Sequence, residues 1–81
     1  SPEDVSSYYN PYRILLQIYE GRGDIYKEKN LIDKSRVNYQ MAINLLNNLK
    51  SFVNDTRTID TEISRFQQKM SGETPKDTLV K

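Results

Sequence analysis

Cysteine and histidine are both absent from the 81 residues. Without cysteine there is no disulfide framework, and the redox compartment cannot be read from the sequence. Without histidine the chain lacks the usual general base, the commonest metal ligand and a simple switch near neutral pH. An excess of one charge is missing too. Twelve basic residues stand against eleven acidic ones, for a formal net charge of +1. Such a balance exerts no long-range pull on nucleic acid or on an anionic membrane. No apolar run approaches the roughly 18 residues that span a bilayer, and no signal peptide is visible. The chain opens on Ser1 rather than methionine, and the expectation is a piece of something larger. Its length allows one small domain with a modest core, worth only a few kcal/mol net.

What is present is helical periodicity. Ser1-Pro2-Glu3-Asp4 has the composition of a short helical turn: a hydroxyl cap, a proline, then acids near the positive end of the dipole. Asn10-Pro11 repeats the start signal, and the first main helix is expected to begin there. Tyr12, Leu15, Leu16, Tyr19, Gly23 and Tyr26 then draw one helical face. Ile14, Ile18 and Ile25 draw a second stripe on roughly the opposite side. Asn30 suits the left-handed conformation at which helices often end, and Asp33 is the expected cap of the next. Ser35, Tyr39, Ile43, Leu46 and Leu49 mark the buried face of the second helix, with Ala42 and Leu45 beside it. After the polar break Asn54-Asp55-Thr56, the residues Ile59, Ile63, Phe66 and Met70 recur at four, three and four. That is the narrow seam of a helix packing on helices.

No strand-like alternation occurs, so the expected fold is all-α: an antiparallel helical hairpin plus a third packing helix. The expected organisation is an N-terminal arm or short turn over 1–10, a three-helix domain over 11–71, and a disordered tail over 72–81. The tail carries Pro75 and little apolar content.

Gly21 and Gly23 fall inside the first helix, where each costs about 1 kcal/mol relative to alanine. Gly23 shares the stripe of Tyr19 and Tyr26, so a missing side chain there lets a neighbouring helix approach, with Ser35 as the small residue opposite. The spacing Tyr19-x3-Gly23-x2-Tyr26-x8-Ser35-x3-Tyr39-x2-Ala42 resembles one tetratricopeptide repeat, a 34-residue helix-turn-helix unit. The likeness covers about residues 16–49. Arg22 stands where that family usually has leucine, and Asn47 where it usually has proline. Residues 50–70 do not restart the repeat and resemble the capping helix of such arrays. An adhesion reading of Arg22-Gly23-Asp24 needs an exposed loop tip, whereas helical periodicity runs through the triplet from both sides.

The resemblance implies a groove lined by Gln17, Glu20, Gly21, Asp24, Lys27 and Glu28. Two carboxylates at Glu20 and Asp24 would repel a terminal carboxylate, so the implied occupant is a protein or peptide of basic or mixed charge. The stripe Ile14, Ile18 and Ile25 lacks an obvious cover, and self-association or docking on a parent protein is expected, since about three repeats are normally needed to bury their faces. Lys27, Lys29, Lys34 and Arg36 gather near the first turn, but Glu28 and Asp33 among them weaken an anion-site reading. The acidic residues form no metal-loop spacing, and Gly21-Arg22-Gly23 is too short for a phosphate loop. No catalytic residues, metal or cofactor are expected. The function expected is therefore non-catalytic binding. The alternative is a three-helix bundle similar to microtubule-interacting-and-trafficking domains, which take up a partner's amphipathic helix.

Overall fold

The computed structural model describes the backbone of residues 5–71 and the side chains of residues 11–71. Three helices make up the fold: α1 (Val5–Glu28), α2 (Ile32–Lys50) and α3 (Arg57–Ser71). The chain is all-α among these residues. The expected tail over 72–81 lies outside them, as do the first four residues of the arm.

Helix α1 starts earlier than the Asn10-Pro11 signal indicates. It runs from Val5 through Pro11. Proline has no N–H, so the helix forgoes one i→i−4 bond at that point.

The end of α1 follows the sequence closely. Asn30 adopts a φ of 64°. The Leu31 N–H donates to the Tyr26 carbonyl at 2.8 Å and the Asn30 N–H to the Lys27 carbonyl at 2.9 Å. That pair of bonds is the Schellman closure, with asparagine in the place usually held by glycine. The reversal leaves no room for Asp33 to cap α2. The cap position is Leu31, without a side-chain bond, and Asp33 lies in the first turn. There its charge still faces the positive end of the helix.

The α1–α2 crossing is built around Gly23. Ser35 is 2% exposed, and its hydroxyl donates to the Gly23 carbonyl at 2.8 Å. The ring of Tyr39 lies directly over Gly23. A Cβ added there would stand 2.6 Å from Tyr39 Cδ1 and 2.9 Å from Cζ, closer than packed carbons approach. Leu16 is buried two turns earlier on the same face of α1, and Tyr12 and Tyr19 are packed against the core.

Helix α3 covers the other side of α2. Ile59 and Phe66 are fully buried, with Ile63 and Met70 packed at the margin. The Phe66 and Tyr39 rings meet at 6.2 Å and a 52° tilt, within the favoured range for aromatic pairs. Lys50 pairs with Asp60 at one end of α3, and Arg36 reaches the Met70 carbonyl at the other, so α3 runs antiparallel to α2 along nearly its whole length. Burial of Leu46, Leu49, Ile59 and Phe66 stabilises this layer by about 1.5–3 kcal/mol each before chain entropy is counted. No Cα of α3 comes within 8 Å of one in α1. The described chain is accordingly flat, with extents of 45 × 26 × 14 Å.

The two helical glycines should respond oppositely to alanine. At Gly21 nothing lies within 4 Å of an added Cβ, so Gly21→Ala should raise stability by about 0.5–1 kcal/mol through helix propensity alone. Gly23→Ala should lower it by about 1–3 kcal/mol, because Tyr39 is buried and cannot swing aside. Urea unfolding of the two variants measures both. Equal effects would show that the crossing does not depend on Gly23.

Candidate functional site

The flank of α1 turned toward α3 carries Arg13, Gln17, Glu20, Asp24 and Lys27, successive positions three or four apart. Because the two backbones stay apart, only long side chains bridge them. Arg65 grips Glu20 with both guanidinium arms, Nη1 to Oε2 at 2.5 Å and Nη2 to Oε1 at 3.0 Å. It also donates to Glu62, one turn back on its own helix, at 2.8 and 3.2 Å. Lys69 reaches Glu20 and Asp24, each at 2.9 Å. Asp24 Oδ1 also accepts the Tyr39 hydroxyl at 2.5 Å. Ion pairs and core are thereby linked through the ring that fills the Gly23 gap.

The electrostatics follow from this geometry. The hydrogen bond from Arg65, aided by Lys69 and opposed by partial burial, pulls the Glu20 carboxyl down from 4.5 to about 2. Arg65 is raised above its ordinary value by its bonds to Glu20 and Glu62. Burial works against the charge on Lys69, and its bonds to Glu20 and Asp24 overcome it, so that group too is raised. Burial first, then the bond to Asp24, pushes the Tyr39 hydroxyl up from 10.0 to about 12.

The α3 C-terminus has its own fastening. Lys27 Nζ donates to the Lys69 carbonyl and Arg36 Nε to the Met70 carbonyl, both at 3.1 Å. Two cations from the hairpin thus satisfy carbonyls left open at the negative end of a helix. The basic cluster noted in the sequence is divided by this arrangement: Lys27 and Arg36 cap α3, while Lys34 lies 5.7 Å from the Tyr26 ring centre.

The six residues expected to line one groove divide: Gln17, Glu20, Asp24 and Lys27 share the flank turned toward α3, and Gly21 and Glu28 lie off it. Glu20, Asp24 and Lys27 fasten α3 to α1. Gly21 faces open space, and Glu28 is exposed at the last position of the helix. Gln17 remains in a groove. Together with Arg13, Leu16, Glu20, Thr58, Glu62 and Arg65 it lines an open cleft of about 380 Å³ between the first halves of α3 and the described part of α1. Its floor is Leu16 and its walls carry both signs of charge. Sequence reasoning missed Arg65 and Lys69 as the partners of the acidic pair. A trace of them existed: both lie on α3 within one turn of Phe66, whose burial turns their flank toward α1. The Arg22-Gly23-Asp24 triplet lies inside α1, with Gly23 buried.

Ile14, Ile18 and Ile25 stand exposed on the far side of α1. Among the described residues, no group of three or more histidine, cysteine or acidic side chains is placed to hold a metal ion. No helix there is long and apolar enough to cross a membrane. Comparison with protein-family models, with curated proteins and with solved structures finds no match for this chain.

Two titrations test the network. The Glu20 carboxyl is depressed in the fold, so its stabilisation is full above about pH 4.5 and is lost as pH falls toward about 2. After solvent screening that contribution is on the order of 1 kcal/mol. Glu20→Gln should lower stability at pH 7 and flatten the acid side of the profile. An unaltered acid limb would sever Glu20 from the stability of α3. The Tyr39 hydroxyl is raised, so its contribution is full below about pH 10 and is lost as pH climbs toward about 12. Tyr39→Phe should therefore lose less stability than the parent between those values, as urea midpoints would record.

Proposed function

We propose that this chain is a non-catalytic protein–protein interaction module of tetratricopeptide-like build, taking a peptide segment into the cleft between α1 and α3. The observation that carries this reading is that cleft. Two helices are held side by side by long ion pairs rather than by backbone contact, which leaves an open trough with an apolar floor at Leu16. Arg13 on one wall and Glu62 on the other suit a ligand of mixed charge. The acidic pair Glu20 and Asp24 is supplied with cations by Arg65 and Lys69 of the chain itself. A ligand meets the open end of the cleft, near Gln17 and Thr58, rather than that pair. Further support comes from Gly23 under Tyr39, the close approach that the repeat's spacing calls for.

The alternative is a trafficking-type bundle that receives an amphipathic helix. The extension of α3 along nearly all of α2 favours it. The separation of α3 from α1 counts against a closed bundle.

Peptides selected from a displayed random library on the 81-residue chain provide the test. Gln17→Trp and Thr58→Trp fill the cleft without touching the ion pairs. Each should weaken the selected peptides about tenfold or more, as expected for blocking a central pocket, while the melting temperature stays unchanged. Peptides that bind the filled and open forms equally would remove the cleft as the site.

A further inference from the structure

Among the described residues nothing packs against Gly21. It faces open space, where a side chain would meet nothing within 4 Å, yet a glycine inside a helix is costly. Its neighbours along the same face are Ile14, Ile18 and Ile25, exposed at 63%, 42% and 54%. The four positions follow one another at spacings of four, three and four, which makes one continuous seam on a helix. A seam of large apolar residues with a notch in it is the counterpart of the Gly23 crossing on the opposite side, where Tyr39 fills the gap.

The order of the seam identifies what fills this second notch. Its spacings read the same in both directions, about a centre midway between Tyr19 and Glu20. Laid antiparallel on a second copy of itself, α1 brings Ile14 opposite the other copy's Ile25. It brings Ile18 opposite the other copy's Gly21. A side chain then meets a gap twice over, by symmetry, as a two-fold interface requires. In a parallel pair Gly21 would meet Gly21 and leave a void.

The charges agree with the antiparallel arrangement. Arg13 and Glu28 are exposed on the same flank of the seam. The antiparallel register brings Glu28 level with position 11 of the other copy, about 3 Å along the axis from Arg13. That pairing also occurs twice. By helical position the seam lies on the opposite side of α1 from the face packed on α2, with Arg13 at its border with the flank turned toward α3.

We propose that this chain associates with a second copy of itself through α1, antiparallel, with Ile18 of each copy entering the notch at Gly21 of the other. The seam adjoins the peptide cleft at Arg13, which borders both, but the association does not depend on a peptide being bound.

The native absence of cysteine makes the register directly testable. Ile14→Cys and Ile25→Cys proteins are prepared separately, then treated with a short bismaleimide alone and as a mixture. The mixture should yield cross-linked dimer about tenfold above either protein alone. Sedimentation of the unaltered chain should show concentration-dependent dimer, and Gly21→Glu should abolish it while the monomer keeps its helical circular dichroism. A chain that stays monomeric to about 1 mM, an association energy weaker than interfaces of this kind supply, would assign the seam to some other chain and overturn the proposal. Cross-linking equal in all three samples would overturn it as well, and so would a dimer indifferent to Gly21→Glu.

Discussion

With no side chain at Gly23, the ring of Tyr39 can lie against the α1 backbone, and the remaining contacts are set by that approach. It fixes how closely α1 and α2 cross. It brings the Ser35 hydroxyl to the Gly23 carbonyl, satisfying a buried polar group at the point of closest contact. It also directs the Tyr39 hydroxyl outward to Asp24. One ring thereby joins the apolar crossing to the ion pairs on the surface. A glycine that is unfavourable as a helix former is favourable as a spacer, because the packing it permits involves a fully buried aromatic side chain.

Helix α3 is held by two kinds of force on its two sides. Toward α2 it buries Ile59 and Phe66, a non-directional attachment proportional to area. Toward α1 it is tied by charges at the ends of long side chains, directional and partly exposed. Arg65 is well suited to this role because its planar fork engages Glu20 and Glu62 at once. The difference explains the open cleft. Ion pairs can span a gap that packed apolar side chains would close, so a ligand-sized trough survives beside a small core. The ends of α3 are similarly secured from outside, Lys50 to Asp60 at one and Lys27 with Arg36 at the other.

Helix α1 carries two glycines on opposite faces, and this gives the chain two unlike surfaces. One face is committed to the fold through Gly23. The other presents isoleucines around the Gly21 notch to solvent. A domain with so few buried residues exposes much apolar surface by necessity. A continuous seam with matched spacing and matched flanking charge is more ordered than scattered exposure.

Local periodicity was enough to determine three helices, most of their buried faces, the left-handed turn at Asn30 and the crossing at Gly23; Leu15, expected on the face of Leu16 and Gly23, is exposed. Each of these depends on residues close in sequence and on the rigid geometry of a helix. The start of α1 was misplaced because Asn10-Pro11 has the composition of a helix start, while the helix runs through Pro11 at the loss of one backbone bond. What the sequence did not show is that Glu20, Asp24 and Lys27 find their partners some forty positions away, on a helix that also sends Phe66 into the core. Pairings of that kind belong to tertiary structure alone: which of several surface carboxylates meets an arginine depends on how three rods rotate about one another, and no stretch of one rod encodes it.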